Sequence, residues 1–426
     1  MLFVYRLLTT ILYPFLIIII YLRVFLKKEH HARYKEKIFT NYFNVKKNSN
    51  KKLIWFHVAS IGELQSILPL IEKINKRYTE IEILITTVTL TSYNLLKQKL
   101  NELKNVHHRF FPLDVIFLAN SFLNKWKPNL ICFVDSEIWP NFLTNIKKKN
   151  IKIILLNGRI TKKTFKRWNL VSNFAKQIFN SFDLCLPSSK ESENNLKLLK
   201  AKNIAFIGNL KFTTRINNKI KIDLNNSNTQ SIKGYNVWCA ASTHFGEEEI
   251  IIKTHLILKK KIKSLKTIIV PRHIFRCNSI KNICKNFNLK YQILNEDNKI
   301  DLNADIIIVN SYGVLQKYYS LCKIVFVGKS LVSNLKNVGG QNPIEPAKYG
   351  CKILHGPYVY NFKEIYEQLS NYNISQQINN EHELAEKLEN YILLPEEDNS
   401  KIITVLNEYG DKVLEETFKK ISNYIN

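Results

Sequence analysis

From residue 50 onward the chain alternates short stretches that are apolar at nearly every position with longer amphipathic ones. In the first half the apolar stretches are 53–58, 81–88, 130–134, 151–156, 182–186 and 204–207. A strand apolar on both faces leaves no side for water, so it belongs inside a parallel sheet covered by helices. The segments between them, near 63–77, 91–103, 137–149, 161–180 and 190–200, have helical periodicity and supply that cover. A polar stretch rich in Asn, Lys and Ser, 213–234, interrupts the pattern and reads as a linker. The alternation resumes with 236–240, 266–270, 305–309, 323–327 and 352–354, followed by a mostly helical tail from 362. The expected class is α/β, with two doubly wound Rossmann-like domains at 27–212 and 235–426 facing a cleft. Ligands in such sheets bind beyond the carboxyl ends of the strands.

The first 26 residues stand apart. LLTTILYPFLIIIIYL, 7–22, carries no charge and is bracketed by Arg6 and Arg23. As a helix it is about 24 Å long, against ~30 Å of bilayer hydrocarbon. No small-residue cleavage site follows, and Arg23, Lys27, Lys28, Arg33, Lys35 and Lys37 would hold the next domain in the cytoplasm. An uncleaved anchor over 1–26, spanning an inner membrane or lying in its interface, is expected. A buried first helix of the globular domain is the alternative.

The net charge of +28 points to polyanionic surroundings: nucleic acid, anionic lipid or phosphorylated substrates. The seven cysteines form no CxxC pair and several lie inside apolar runs, so buried free thiols are expected. The histidines have no HExxH-type spacing, and no protein-held metal is expected.

Five strand ends gather polar residues. In HVASIGE, 57–63, Glu63 opens a helix just past a strand and could serve as general base for an acceptor hydroxyl. The helix dipole there should keep it ionised and lower its pKa. An ordinary first-turn glutamate is the plain alternative. In FVDSEIWPN, 133–141, Asp135, Ser136 and Glu137 precede a second helix, with capping as their plain alternative. In IGNLKF, 207–212, Lys211 could stabilise developing negative charge, or be merely solvated. Ser242 and Thr243 in CAASTHFGEEEI, 239–250, lie at a helix start, and Pro271 and Arg272 end the next strand; together they suggest a phosphate clamp. In 326–350, Gly328, Gly339 and Gly340 allow close backbone approach, Pro343 can begin a helix, and Glu345 could accept from ribose hydroxyls. Only 12 of the 426 residues are glycine, so such a cluster is informative.

The strings HVASIGE, SEIWPN, NGRI, GNLKF, ASTHFGEE, VPRH, FVGKSLV and GGQNPIEPA occur in one order over nearly the whole chain. Together they resemble the Kdo transferases, which add 3-deoxy-D-manno-octulosonic acid (Kdo) to a lipid A precursor. The resemblance implies a GT-B fold and a metal-independent inverting glycosyltransferase. It also implies CMP-Kdo as donor and a lipid IV-A type acceptor in lipopolysaccharide biosynthesis. It implies Glu63 as the proton acceptor and Glu137 and Lys211 as transition-state stabilisers. It places CMP at Pro271 and Arg272, at Tyr312, Gly313 and Val314, and at Asn342, Pro343, Ile344 and Glu345. The chain departs from the family where NSYGVL, 310–315, puts Asn310 and Val314 in place of two acids.

Other readings are a GT-B transferase for another nucleotide sugar, a second domain that is a non-catalytic scaffold, and a nucleic-acid-binding protein. The last requires clustered Arg with aromatic platforms, whereas the cationic excess here is spread along the chain. The expected partners are therefore CMP-Kdo, a lipid A precursor and an anionic membrane surface, with no nucleic acid.

Overall fold

The computed structural model describes residues 1–43, 47–48, 50–214, 232, 234–295, 298–336, 338–393 and 400–425. Most of the expected linker, 215–231 and 233, lies outside the described residues. The chain divides into two compact units, Met1–Arg215 with Tyr409–Asn426, and Ile216–Glu408.

The first unit is built on six strands: β1 (Leu53–Val58), β2 (Glu82–Thr87), β3 (Val106–Phe110), β4 (Leu130–Val134), β5 (Lys152–Gly158) and β6 (Leu184–Pro187). Their order is β3-β2-β1-β4-β5-β6 and every pairing is parallel. Alternate residues of each strand feed two separate cores. Leu53, Trp55, Ile131 and Phe133 face one, while Ile54, Phe56, Leu130 and Val134 face the other. This is why the strands read as continuous apolar runs.

The second unit has seven strands: β7 (Asn236–Thr243), β8 (Leu265–Pro271), β9 (Tyr291–Leu294), β10 (Ile306–Val309), β11 (Ile324–Val327), β12 (Lys352–His355) and β13 (Ser375–Gln377). Their order is β13-β12-β11-β7-β8-β10-β9, again all parallel. Chain direction across the sheet reverses between β1 and β4 in the first unit and between β7 and β11 in the second. These are the switch points where doubly wound sheets bind ligands.

Three strands absent from the expected set, β3, β9 and β13, each stand at the end of a sheet. Their sequences, VHHRF, YQIL and SQQ, lack the apolar signature because an outermost strand is covered less completely. The expected strand at 204–207 is reduced to one bridge between Ile204 and Cys185. The second domain, expected to run to 426, instead loses its end to the first unit. The helix Ser400–Ile425 brings Val413, Leu414, Ile421 and Ile425 into the core that holds Ile54 and Phe56. Its apolar stripe needs a partner face, and that partner lies hundreds of residues earlier in the chain. All seven cysteines are buried free thiols.

The N-terminal helix spans Leu2–Phe25 without a break at Pro14. One stripe lies along the first unit. Leu2, Tyr5 and Tyr13 pack on its core, and Ile17, Ile20 and Val24 form a small cluster with Tyr34 and Ile38. Polar contacts reinforce the stripe: Tyr5 donates to Asp114 at 2.8 Å, Arg6 to Thr144 at 3.1 Å, and Tyr13 to the Ile38 carbonyl. The opposite face, including Phe3, Leu7, Leu8, Ile11, Phe15, Ile18 and Leu22, is exposed.

Candidate active site

Glu63 stands at the first switch point, in the first turn of the helix Ile61–Arg77 that follows β1. Ser60 caps this helix by accepting from the Glu63 amide at 3.3 Å. The Glu63 carboxylate in turn accepts from the Ala59 amide at 2.7 Å and from the Ser60 hydroxyl at 2.8 Å. The plain first-turn role is therefore real. Its titration, however, runs against the sequence expectation of a depressed pKa. Burial pushes the carboxyl up to about 7, the negative charges of Asp135 and Glu137 add to the rise, and the local hydrogen bonds oppose it. Desolvation here outweighs the hydrogen bonds from Ala59 and Ser60.

Glu137 comes from the turn after β4, ahead of a helix that begins only at Pro140. Its Oε2 faces His57 Nε2 at 3.1 Å and accepts from Trp139 Nε1 at 2.8 Å. Burial alone would raise its pKa; these two contacts outweigh it and hold the carboxyl below the ordinary range. Neither Asp135 nor Ser136 caps the following helix. Asp114 does so from a distance, accepting from the Asn141 amide at 3.1 Å and the Phe142 amide at 3.0 Å. Asp135 is buried at a positive φ of 60°, its pKa raised by burial against the pull of Lys211 and Arg159.

Lys211 lies on a single 3-10 turn, Leu210–Thr213. Asn157, at the end of β5, accepts from the Leu210 amide at 2.9 Å, and Thr213 donates to the Ser66 carbonyl at 3.1 Å. The turn is thereby tied to β5 and to the helix bearing Glu63. Burial lowers the Lys211 pKa while Asp135 and Glu63 favour its charge. The returning C-terminal helix braces the same turn: Gly410 lies so close that a Cβ there would stand 2.3 Å from the Phe212 carbonyl. Glu63, Glu137 and Lys211, far apart in sequence, thus share one sheet edge with Asp135.

In the second unit the residues expected at CMP meet at the carboxyl edge of the other sheet. The Arg272 amide donates to the Thr243 carbonyl at 3.1 Å, joining the ends of β7 and β8. The Ile274 amide reaches the Tyr312 hydroxyl at 3.4 Å, which brings the turn containing Gly313 and Val314 alongside. Ser242 holds a positive φ of 56°. Of the three glutamates that open the helix Glu247–Lys259, two are structural. Glu247 accepts from the His244, Lys329, Ser330 and Leu331 amides at 2.7–2.9 Å, locking the loops after β7 and β11 together. The His244 amide is thereby committed to Glu247. Glu248 pairs in bidentate fashion with Arg276 at 2.9 and 3.0 Å.

Gly339 fits where a Cβ would meet the Tyr358 carbonyl at 2.0 Å, and Gly340 has a φ of 94°. Pro343 takes the cap position before the short helix Ile344–Lys348, and Asn342 accepts from the Ile344 amide at 3.1 Å. Glu345, raised in pKa by burial, accepts from Gln316 at 2.8 Å. That bond ties the 342–345 turn to the helix after Val314. Asn310 donates to Asn295 at 2.9 Å.

The sequence reading missed His57, Asn157, Arg159 and Gln316 as parts of the site. His57 sits inside an apolar run and so looked like core, although it belongs to the HVASIGE string. Among the described residues no group of three or more His, Cys, Asp or Glu is arranged to hold a metal ion.

Two parallel-sheet α/β units with these switch points define a GT-B type glycosyltransferase fold. A solved glycosyltransferase from Rickettsia africae matches over 88% of this chain and 99% of its own, at a TM-score of 0.57 and 13% identity. A UDP-GlcNAc 2-epimerase from Neisseria meningitidis matches over the same shares at a TM-score of 0.57 and 12% identity. At such identities the likeness is one of fold. A family model described as 3-deoxy-D-manno-octulosonic-acid transferase (kdotransferase) matches residues 32–214. The 3-deoxy-D-manno-octulosonic acid transferase of Rickettsia bellii is 30% identical over 99% of this chain and 97% of its own length. That of Rickettsia felis is 31% identical over 88% of this chain and 78% of its own. The chain belongs to the 3-deoxy-D-manno-octulosonic acid transferase family.

Proposed function

We propose that this enzyme moves Kdo from CMP-Kdo to a lipid A precursor of the lipid IV-A type, with inversion at the anomeric carbon and without a metal. The observation that carries the reading is Glu63, a carboxylate at the switch point with a pKa of about 7, flanked by Asp135, Glu137 and Lys211. A base needs a pKa near the working pH to be both ionised and able to take a proton. Glu63 takes the proton of the acceptor hydroxyl, whose oxygen attacks Kdo from the face opposite CMP. Glu137, held ionised, offsets positive charge developing on the sugar ring, and Lys211 holds an anionic oxygen. In the second unit Arg272, with backbone amides around Ser242 and Thr243, receives the leaving phosphate; Gly340, expected to add its amide, gives it to the Lys329 carbonyl and serves by close backbone approach instead. Pro271, Tyr312, Gly313, Val314, Asn342, Pro343, Ile344 and Glu345 hold the rest of CMP.

The N-terminal helix fits the same substrate. It is long and apolar enough to cross a membrane, with a mean hydropathy of 2.1. Yet its docked stripe runs from Leu2 to Val24, so a spanning pose would drag Asp114, Thr144 and their neighbours into hydrocarbon. A helix lying in the interface, its exposed apolar face toward the acyl chains, avoids that cost. The catalytic units then work on the cytoplasmic side of the inner membrane, where an anionic surface attracts the basic chain.

The test is incubation of membranes carrying the protein with CMP-Kdo and lipid IV-A, followed by mass analysis of the lipid. A mass gain of one or more Kdo units is expected. Turnover of UDP- or GDP-sugars in place of CMP-Kdo would refute the donor assignment.

A further inference from the structure

Glu137 is held from inside the sheet, through His57. Behind it lies a fully buried polar chain, Trp55, Thr86 and His57. Trp55 Nε1 donates to Thr86 Oγ1 at 2.8 Å. Thr86 Oγ1 stands 2.9 Å from His57 Nδ1, and His57 Nε2 stands 3.1 Å from Glu137 Oε2. The His57 ring is wholly buried, stacked on Phe111 at 3.8 Å and edge-on to Phe133 at 5.6 Å.

The proton positions follow from counting donors. Thr86 already accepts from Trp55, so its own proton is left to donate. The near acceptor is His57 Nδ1, since the other, the Phe56 carbonyl, is 3.5 Å away. With Nδ1 accepting, a neutral ring carries its proton on Nε2 and donates it to Glu137. Trp139 donates to the same oxygen. Two ring N–H donors thus fix one oxygen of Glu137.

We propose that His57 is a positioning residue. Set in one tautomer by Thr86 and Trp55, it donates to Glu137 and fixes the orientation of that carboxylate in the turn after β4. Two neighbouring carboxylates then perform two different tasks because their surroundings differ. Of the other charged groups, Glu63 and Asp135 each lie near Glu137, and Lys211 and Arg159 face Asp135. The inference rests on the reading of Glu137 as a transition-state group.

The experiment uses the full chain in detergent with CMP-Kdo and lipid IV-A, comparing His57→Leu, His57→Gln and Thr86→Val. In His57→Leu we expect kcat to fall about tenfold or more, with KM for CMP-Kdo unchanged. The acidic limb of its pH–rate profile should steepen, because Glu137 now protonates in the same range as Glu63. His57→Gln keeps an N–H donor and should recover part of kcat, and Thr86→Val should lower kcat by a smaller factor. Wild-type kcat and pH profile in the Leu and Gln variants, with only thermal stability reduced, would overturn the proposal. If the Leu variant does not fold, the Gln and Val variants decide. A double-mutant cycle between His57→Leu and Glu137→Ala, each of which removes the contact, reports it in thermal stability without turnover. An inactive wild type therefore refutes the transferase reading, and an additive cycle refutes this one.

Discussion

Glu63 and Glu247 occupy equivalent places. Each lies in the first turn of the helix that follows the first strand of its sheet, at that sheet's switch point. Their fates differ because their partners differ. Glu247 is completely buried and accepts from four backbone amides drawn from two loops, so its lone pairs are spent on holding those loops together. Glu63 is only partly buried and is held by one amide and one hydroxyl from its own turn, beside two further carboxylates. The same side chain in the same place becomes a clasp where donors converge on it, and where they do not it is left open to serve as the proposed base.

Substitution tests this contrast most severely at the first site. Glu63→Ala should lose turnover by about 10²-fold or more while keeping the fold and CMP binding. Near-normal transfer in that variant would remove Glu63 from the chemistry. Glu247→Ala should do the reverse. It leaves four buried amides without their acceptor, a loss of about 3 kcal/mol or more in unfolding free energy, read by denaturant titration. Unchanged stability with reduced turnover would break the distinction between the two glutamates.

A third prediction uses pH. Glu63 acts as a base only when ionised, so turnover should fall as pH drops through about 7. Stability should move the other way. Because the folded carboxyl binds its proton more tightly than the unfolded one, whose pKa is near 4.5, this group makes the fold less stable as pH rises from about 4.5 through about 7. Glu63→Gln removes that effect, so at pH 8 it should be more stable than wild type by about 1–3 kcal/mol. The smallest effect belongs to the second unit. Gln316→Leu removes the donor that orients Glu345 and should raise KM for CMP-Kdo by about three- to tenfold with kcat little changed. A fall in kcat alone would place Glu345 outside donor binding.

Much of this was legible in the chain. Inner strands such as LICFV and IIIV announced themselves because both faces are buried, whereas VHHRF and SQQ at the sheet ends did not. Glu63, Glu137 and Lys211 stood out because each ends an apolar run. His57 did not, because a histidine inside such a run looks the same whether it fills space or holds a carboxylate.

The sequence by itself determined two parallel sheets, the strand ends that bear the chemistry, the apolar N-terminal helix and, through its ordered motifs, the family. Only the tertiary structure decided that Glu63 titrates near 7 rather than low and that Glu247 is a clasp. It also decided that the C-terminal helix braces the Lys211 turn and that the N-terminal helix lies along the first unit. Periodicity and turn signals are local, so they can be read along the chain. Burial and the supply of hydrogen-bond donors are set by segments tens to hundreds of residues apart, and these set the charge and role of each acid.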